Sequence, residues 1–392
     1  MGSGIVVQPD LGDGLRRLYG LFMTAMPPFD TIVVGLGGMG SAAAAHLASR
    51  GQRVLGVEQF QAAHDRGSSH GKSRVIRLAY FEHPAYVPLL RRAYELWRRL
   101  ETDTGRRLLQ ITGGLMIGAP DGDVVSGSLR SAREHGLAHE LLDAAEIHRR
   151  FPPFTPRQET VAFYESEAGS LFPEEAIRAH LDVAADHGAH LHFDERVEDW
   201  RVTATGTVEV TTSQSQYEAG RLVLAPGSWA SALFKVDELP LVVEPQVLYW
   251  LEPSGGAAAY AADRFPIYIW DLGDGVQFYG FPADQDRRVK VAFFRSLQKD
   301  EAAIRVALAP CLPSLAAGRL VETVSCKYTL TPDHHFVIGS HPDHEQVVIA
   351  SPCSGHGYKF ASVVGEILAD LAIDGATHHP IDLFSPTRFR PS

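Results

Sequence analysis

Short apolar runs alternate with helical patterns over the first hundred residues. Residues 30–34 form a run rich in β-branched side chains, an alanine-rich stretch begins at residue 41, and residues 53–57 form a second apolar run. This order predicts a strand, a tight turn, a helix of about ten residues and a second strand, which together make a βαβ unit. Apolar positions at helical spacing over residues 89–100 predict an amphipathic surface helix.

The α/β pattern returns twice further along the chain. A helical pattern over residues 174–187 is followed by apolar runs that predict strands at residues 189–193, 208–212 and 221–224. Near the C-terminus, residues 347–350 predict a strand and residues 361–373 an amphipathic helix. In between, alternating and aromatic-rich runs predict an antiparallel sheet, with strands at residues 247–250, 267–270 and 289–294.

These patterns predict an α/β (α+β) fold with two interleaved domains. A Rossmann-like domain is expected from residues 29–100, 155–240 and 325–385. A mainly antiparallel domain is expected from residues 101–154 and 241–324. Residues 1–28 are interpreted as a non-secretory N-terminal extension that need not be ordered, in which Met26 is an alternative start.

Composition and charge remove several classes of function. The 392 residues are 45% hydrophobic and 21% charged, as in an ordinary soluble globular protein, and the length suggests about two domains with room for a buried ligand. A formal net charge of −11, without a run of about five or six basic residues, disfavours nucleic acid and anionic membranes as partners. No stretch approaches the roughly 18 consecutive apolar residues of a membrane span.

The cysteines indicate a compartment and argue against a metal site. The chain has three of them, Cys311, Cys326 and Cys353, without the spacing of a zinc site or a disulfide framework. This sparse set favours the reducing cytoplasm, and we expect no metal.

A glycine motif follows the first predicted strand. Residues 35–40 read GLGGMG and fit the dinucleotide fingerprint G-x-G-x-x-G between a β-branched strand and an alanine-rich helix. Gly35 permits the turn, Gly37 lets the backbone approach a pyrophosphate, and Gly40 allows close packing of the helix. Glu58 ends the second strand, where a carboxylate accepts hydrogen bonds from a ribose and disfavours the 2′-phosphate of NADP. The motif by itself leaves FAD and NAD open.

Three further segments carry a family resemblance. They read GSSHGKSRVIR at residues 67–77, SCKYTLTPD at residues 325–333 and SGHGYKF at residues 354–360. In this order they resemble the signature stretches of the monomeric sarcosine oxidase and N-methyltryptophan oxidase family, which are FAD-dependent amine oxidoreductases. The resemblance runs from about residue 30 to about residue 375 and implies that the Rossmann-like domain binds FAD and the antiparallel domain binds substrate.

The resemblance implies roles for residues around the flavin. Cys326 occupies the position of the cysteine that carries the flavin through a thioether to its 8α-methyl group, although any free cysteine is more often a small buried apolar residue. Ser73 and Arg74 match residues beside the flavin ring, where a positive charge stabilises the reduced flavin. Further cofactor contacts are expected from Val197, Gly355, Gly357 and Lys359. Cys311 and Cys353 are interpreted as ordinary thiols.

The resemblance also implies catalytic residues. Arg77 and Lys359 match the two cations that hold the substrate carboxylate, and both stand in glycine-rich loops rather than on a polar helix face. Lys290, a lone cation between apolar neighbours on a predicted strand, matches the lysine that activates O2, unless its side chain points to solvent. Tyr279 and Tyr328 match active-site tyrosines, although both could be plain core aromatics.

Two positions depart from the family pattern. Phe294 stands where sarcosine and N-methyltryptophan oxidases have a histidine, and residues 351–353 read SPC where Gly-Phe is more usual. The phenylalanine removes a polar group and adds an aromatic wall. This change disfavours sarcosine itself and favours a bulkier or more apolar secondary amine, such as pipecolate, a proline-like cyclic imino acid or an N-methylated larger amino acid.

The resemblance thus implies an oxidase that converts the C–N bond of a secondary-amine α-amino acid to an imine and reduces O2 to hydrogen peroxide. One alternative is a flavin dehydrogenase or imine-forming biosynthetic enzyme that uses another electron acceptor. Others are a non-catalytic flavin-binding protein and an NAD-linked dehydrogenase. The expected partners are a small amino-acid substrate and O2, in a monomer or homodimer.

Overall fold

Strands make up two large sheets and one small sheet. The computed structural model describes residues 29–296, 298–351 and 354–390, so the predicted N-terminal extension and Cys353 lie outside the described residues. The strands in chain order are β1 (Phe29–Val34), β2 (Val54–Val57), β3 (Arg74–Ile76), β4 (Leu109–Ile111), β5 (Gly114–Gly118), β6 (Glu140–Asp143), β7 (Val161–Glu165), β8 (Gly169–Leu171), β9 (His190–His192), β10 (Val197–Val202), β11 (Val208–Thr212), β12 (Gln216–Leu224), β13 (Val242–Glu252), β14 (Ile267–Asp271), β15 (Gln277–Ala283), β16 (Val289–Arg295), β17 (Arg319–Leu330), β18 (Val337–His341) and β19 (His344–Ser351).

The first sheet has a parallel centre. Strand β1 lies between β2 and β12, β9 pairs with β2, and β19 pairs with β12, all in parallel. The antiparallel strands β10, β11 and β18 extend this sheet at its margins. The buried central strands are runs of valine, leucine and isoleucine because both faces of a parallel sheet are covered.

Helices cover this sheet. The helices of the described chain are α1 (Gly38–Ser49), α2 (Val87–Thr104), α3 (Asp123–His135), α4 (Ala144–Arg150), α5 (Pro173–Asp186), α6 (Ala230–Leu233), α7 (Glu301–Leu308), α8 (Pro313–Ala316) and α9 (Ala361–Asp374). The alanine-rich α1 packs against α5 and α9. A side chain at Gly365 of α9 would meet Ala42 of α1 at 2.5 Å, so the small residues on both helices permit the close approach.

The second sheet is antiparallel apart from one pair. Its order is β17-β13-β16-β15-β14-β5-β7-β6, and only β14 and β5 run parallel. Its aromatic-rich strands surround a separate core that contains Phe154, Phe265, Tyr268 and Trp270. The strands β3, β8 and β4 form the small third sheet. The predicted α/β architecture with a mainly antiparallel second sheet is therefore confirmed.

Some predicted elements are confirmed with different bounds or surroundings. The helix predicted at residues 361–373 exists as α9, but it is buried almost all round and not amphipathic. Its polar residues Glu366 and Asp370 are buried because Arg92 and Arg50 pair with them at 2.7 and 2.6 Å. Strand β12 begins five residues before the predicted run at 221–224, because its polar first half pairs with β11 rather than entering the core.

Two strands of the second sheet lie wholly or partly in segments that the sequence assigns to the Rossmann-like domain. Strand β7 lies in the second sheet, whereas the sequence places residues 155–240 in the Rossmann-like domain. The predicted boundary at residue 325 lies inside β17, which pairs with β13 along its length. No helix of the described residues is long and apolar enough to cross a membrane.

Candidate active site

A cavity of about 490 Å³ joins the two large sheets. One end lies at the carboxyl end of β1, where the glycine motif begins, and the other is walled by side chains of the second sheet, including Leu248, Ile269 and Tyr279. Clefts outside the carboxyl ends of parallel strands are the usual ligand sites of open α/β sheets. The cavity therefore extends from the glycine motif of the first sheet, where a dinucleotide would bind, to side chains of the second sheet.

The glycine motif has the backbone geometry that its spacing predicts. Gly35 has φ +85°, and a side chain there would lie 2.6 Å from the carbonyl oxygen of Ala225. A side chain at Gly40 would overlap the carbonyl of Gly35, so Gly40 allows α1 to start close to the strand. Gly37 caps α1 and faces the cavity, and a Cβ added there would meet only Ser69 Oγ, at 3.8 Å.

Glu58 is buried at the same end of the cavity. Its Oε2 accepts a hydrogen bond from the backbone N–H of Leu36 at 2.9 Å, and its Oε1 accepts one from Phe60 at 3.1 Å. The carboxylate is therefore tied to the glycine loop itself. Val197, at the start of β10, lines the same cavity.

These residues fit a bound dinucleotide. The first turn of α1 carries no acidic side chain, so its free N–H groups and partial positive charge are available to phosphates. The hydroxyls of Ser68 and Ser228 line the cavity, are buried and have no hydrogen-bond partner among the described residues. Buried polar groups normally have partners, so unpaired hydroxyls facing a cavity are consistent with a polar ligand.

Cys326, on β17, lies in the wall of the cavity. Its sulfur accepts a contact from the Arg74 guanidinium at 3.7 Å. Burial by itself would raise the pKa of the thiol, but a hydrogen bond with His70 and the charge of Arg74 outweigh it and lower the pKa to about 7. Burial raises the pKa of the Cys311 thiol to about 12. Cys326 is therefore the more reactive of the two described cysteines.

His70 belongs to the 67–77 motif but was not singled out in the sequence. Its ring nitrogen Nε2 lies 3.1 Å from the carbonyl oxygen of Gly67, which fixes the ring beside Cys326. Arg74 donates to the carbonyl oxygens of Ser73 at 2.8 Å and Ser68 at 2.7 Å. The imidazole of His70 and the guanidinium of Arg74, both from this motif, therefore lie beside the sulfur of Cys326.

Lys290 does not point to solvent. Its side chain is buried, and Nζ donates to the carbonyl oxygens of Gly71 and Ser73, both at 2.7 Å, and to Ser73 Oγ at 3.2 Å. Burial, and after it the charge of Arg74, holds the pKa of Lys290 well below its ordinary value. Of the described residues, Arg74 and Leu248 line the cavity beside it, whereas Lys290 and Ser73 lie behind this wall.

A cluster of buried charges forms the second-sheet end of the cavity. Arg77 donates to the carbonyl oxygen of Ala79 at 2.6 Å and pairs with Glu82 Oε2 at 2.7 Å. Its Nε atom and Glu82 Oε1 are buried without a partner among the described residues. Burial would raise the pKa of Glu82, but the Arg77 charge is the chief of several that lower it. Glu82 was not predicted as a site residue, because in the sequence it is only a single acidic residue after an apolar run.

Lys359 lies in the same cluster. Its Nζ donates to the carbonyl oxygen of His356 at 2.6 Å and to the hydroxyl of Tyr80 at 3.4 Å. Burial, and after it the charge of Arg77, lowers the pKa of Lys359 to about 7. The Tyr80 hydroxyl also contacts His356 Nδ1 at 2.5 Å. Burial lowers the pKa of His356 to about 3, so this ring is neutral and Lys359 is held by neutral groups.

Aromatic side chains complete the wall. Tyr279 and Tyr328 both line the cavity, and burial raises the pKa of both phenols, which are therefore neutral. Gly355, with φ +79°, packs under the ring of Tyr328, where a side chain would lie 2.7 Å from it, and Gly357 lines the cavity nearby. Phe294 lines the cavity and packs edge-on against Phe81, with ring centroids 6.2 Å apart.

The structure brings most of the predicted site residues to one cavity. Those predicted residues that line it are Gly35, Gly37, Glu58, Arg74, Arg77, Val197, Tyr279, Phe294, Cys326, Tyr328, Gly355, Gly357 and Lys359. Gly40, Ser73 and Lys290 do not line the cavity and lie behind its wall.

Comparison with known proteins agrees with this geometry. Residues 30–371 match the family model of FAD-dependent oxidoreductases. The chain is 48% identical over 378 residues to a monomeric sarcosine oxidase of Streptomyces avermitilis, which covers 92% of this chain and 98% of the relative. It is 31% identical over 376 residues to an N-methyl-L-tryptophan oxidase of Yersinia pestis, covering 92% of this chain and all of the relative.

A solved structure has the same fold. It is that of NikD, an unusual amino acid oxidase essential for nikkomycin biosynthesis, with a TM-score of 0.79, 25% identity, and coverage of 91% of this chain and 97% of NikD. The chain therefore belongs to the FAD-dependent oxidoreductases, together with the monomeric sarcosine oxidases and N-methyltryptophan oxidases.

Proposed function

We propose that the protein is an FAD-dependent oxidase of α-amino acids that carry a secondary amine. One observation supports this above the others: two buried cations, Arg77 and Lys359, line the same cavity as the dinucleotide motif. A cavity of this kind suits an anionic substrate held beside a dinucleotide cofactor. We place the protein in the cytoplasm as a monomer or homodimer, and both remain predictions.

The residues at the first end of the cavity would hold the cofactor. The N-terminus of α1 and the loop at Gly37 suit the pyrophosphate, and Glu58 suits the ribose. When bound, FAD takes up the two electrons and the hydrogen removed from the carbon next to the amine, and O2 receives the electrons to give hydrogen peroxide. The Arg74 guanidinium places a positive charge where it would favour the reduced, anionic cofactor.

We propose that Cys326 carries the FAD covalently. The thiol, with its pKa near 7, is partly ionised at neutral pH and stands in the cavity wall beside Arg74 and His70. The sulfur would lose its proton and bond to the 8α carbon, which loses a hydrogen, while O2 takes up the two electrons and two protons as hydrogen peroxide. The product is a thioether.

Acid precipitation tests the thioether. The yellow colour of native protein is expected to stay in the pellet, whereas in Cys326→Ser it is expected to pass to the supernatant. Cys311→Ser is the matched control, because it removes a buried thiol outside the cavity and should leave the colour in the pellet. Colour in the supernatant of the native protein would exclude the covalent link while leaving FAD binding intact.

The substrate carboxylate is assigned to Arg77 and Lys359. Glu82 already neutralises part of the charge on Arg77, so an incoming carboxylate pairs with Lys359 and with the open Nε of Arg77, or displaces Glu82. The phenols of Tyr279 and Tyr328, both neutral, offer hydrogen bonds without adding charge. These contacts would fix the charged end of the substrate.

The apolar part of the substrate is assigned to the wall formed by Ile269, Phe294 and Phe81. Ile269 and Phe294 line the cavity, and Phe81 packs behind Phe294. Such a wall favours substrates with a large apolar part, and sarcosine offers it only a single N-methyl group. We therefore expect pipecolate, proline-like imino acids or larger N-methylated amino acids to be better substrates than sarcosine.

A peroxide-coupled screen of secondary amino acids tests the proposal. We expect hydrogen peroxide from at least one cyclic or N-methylated amino acid, with higher kcat/KM than sarcosine. If no secondary amino acid is turned over, the oxidase assignment is wrong. If substrate bleaches the yellow colour anaerobically but the reduced enzyme persists in air, the protein is instead a dehydrogenase or an imine-forming enzyme that uses another electron acceptor.

A further inference from the structure

The ammonium group of Lys290 is held by one short loop. Its three N–H bonds match three acceptors, the carbonyl oxygens of Gly71 and Ser73 and the hydroxyl of Ser73. The side chain is buried, so water does not replace these partners if the loop moves. The position of Nζ therefore follows from where residues 71–73 place two carbonyl groups.

That loop adopts a conformation that it does not favour by itself. Gly71 has φ +93° and Lys72 has φ +68°, so two successive residues lie in the left-handed region, and Lys72 has a side chain that disfavours it. Gly71 also leaves no room for a side chain, because Leu248 Cδ1 would lie 2.6 Å from its Cβ. The backbone N–H of Ser73 donates to the carbonyl oxygen of Gly71 at 2.8 Å within the loop, and a contact from outside would stabilise this conformation further.

Glu174 supplies that contact. Its Oε1 accepts hydrogen bonds from the backbone N–H of Gly71 at 2.7 Å and of Lys72 at 3.1 Å. Glu174 lies in the first turn of α5, which packs on α1, so the carboxylate is anchored to the first sheet. It thus bonds Gly71, whose carbonyl oxygen accepts a hydrogen bond from Lys290, and the left-handed Lys72 that joins Gly71 to Ser73.

The negative charge of Glu174 also affects the ammonium group of Lys290. The charged and ionisable groups that face Lys290 are Arg74, Lys72, Cys326 and Glu174, and of these Glu174 is the carboxylate. The charges of Arg74 and Lys72 disfavour a further buried cation, whereas Glu174 favours the ammonium form.

We propose that Glu174 is a positioning residue for Lys290: through the backbone of residues 71–73 it fixes the ammonium group that the family resemblance assigns to O2 activation. Glu174 does not line the cavity and has no direct contact with Lys290 among the described hydrogen bonds and ion pairs. This inference rests on the proposed oxidase function.

Variants at this position separate its two effects. Glu174→Ala removes both the acceptor and the charge, whereas Glu174→Gln removes the charge but keeps an oxygen for the two backbone N–H groups. Glu175→Ala is the matched control, because Glu175 is the next acid on the same helical turn and pairs with Arg106 and Arg178 on the surface.

The measurement is the rate of reoxidation of reduced holoenzyme by O2, followed across pH. The enzyme is reduced chemically, so the result does not depend on knowing the substrate. At low pH, where Lys290 is protonated, we expect Glu174→Ala to reoxidise about tenfold more slowly than native protein and Glu174→Gln to stay within about twofold. The reoxidation rate should fall as the pH rises and Lys290 loses its proton. Without the negative charge of Glu174 this fall should occur at lower pH in both variants.

Hydrogen exchange gives a readout that does not use activity. Peptides covering residues 68–75 should lose protection at the Gly71 and Lys72 amides in Glu174→Ala and keep it in Glu175→Ala. Lys72→Gly in the Glu174→Ala background removes the side chain that disfavours the left-handed conformation at residue 72. It should therefore restore part of the reoxidation rate. This double variant also tests the proposal if Glu174→Ala by itself folds poorly.

Three results would overturn the proposal. They are an unchanged low-pH rate in Glu174→Ala, an equal loss of rate in Glu174→Gln, and an equal loss in Glu175→Ala. If native protein itself reoxidises slowly in O2, the oxidase function fails, and the exchange pattern then decides separately whether Glu174 holds the loop.

Discussion

The two ends of the cavity are formed by different kinds of chemical group. The dinucleotide end is made of backbone: glycines without side chains, a helix N-terminus, and a carboxylate tied to two N–H groups. The second-sheet end is made of buried charged side chains, with Arg77, Glu82 and Lys359 within one cluster. The backbone at Gly35 and Gly40 leaves no room for a side chain, whereas a buried charge cluster is destabilised when one of its charges is removed. The following predictions test this difference.

The largest effect is expected from added volume at the dinucleotide end. A side chain at Gly40 overlaps the Gly35 carbonyl, whereas one at Gly37 meets only Ser69 Oγ at 3.8 Å. We expect the flavin absorbance of purified Gly40→Ala to fall below about a tenth of the native value, with a lower Tm. Gly37→Ala should keep the native Tm of the apoprotein and lose only FAD affinity. Equal loss of Tm in both variants would contradict the backbone account.

Removal of charge at the other end should cost activity and stability together. Arg77→Met is expected to lower kcat/KM by about 100- to 1000-fold. It should also lower the free energy of unfolding by about 3 kcal/mol, because Glu82 is left as an unpaired buried charge.

The double variant Arg77→Met with Glu82→Gln separates these two losses. Urea unfolding should return toward the native midpoint, because no unpaired charge is left, while kcat/KM stays low because the cation is still missing. If stability does not recover, the Arg77–Glu82 pair is not the reason for the loss in the single variant.

A smaller effect is expected at the apolar wall. Phe294→His exchanges an aromatic surface for a polar group next to Ile269 in the cavity. We expect the ratio of kcat/KM for sarcosine to that for a bulkier secondary amino acid to rise about tenfold. Val306→His, at an exposed position on α7, is the control for adding a histidine and should leave the ratio unchanged. A fall in the ratio would contradict the assignment of this wall to the apolar part of the substrate.

The smallest effect is a dependence on pH. With its pKa lowered to about 7, Lys359 loses its charge as the pH rises through neutrality, so KM for an anionic substrate should rise severalfold above about pH 7. Lys359→Arg keeps the charge and should remove this rise. The secondary amine must also lose a proton before oxidation, so kcat should increase toward the amine pKa in both proteins.

The same lysine predicts a direction for stability. Its pKa is about 7 in the folded chain against an ordinary value of 10.5, so the unfolded chain binds more protons between these values. The free energy of unfolding of native protein should therefore rise relative to Lys359→Met as the pH increases through this window. Urea unfolding at several pH values measures the difference, and a falling difference would contradict the lowered pKa.

Local patterns in the sequence were sufficient for most of the fold and for the dinucleotide end. The β-branched run before Gly35 and the alanine-rich stretch after it predict a strand and a helix by periodicity, and both form where predicted. Helix α9 was predicted with the wrong surroundings. Its apolar residues are visible in the sequence, but burial of Glu366 and Asp370 depends on Arg92 of α2 and on Arg50, which follows α1, and periodicity does not reveal these pairs.

The sequence by itself determined the elements, the glycine turn and, through family resemblance, the set of cations at the site. Only the tertiary structure decided which buried groups surround these cations. Glu82 reaches Arg77 and Glu174 reaches the loop under Lys290 through chain folding, and no spacing rule encodes either pairing. The reason is physical: backbone geometry is a local property of neighbouring residues, whereas the energy of a buried charge depends on every group that the fold places around it.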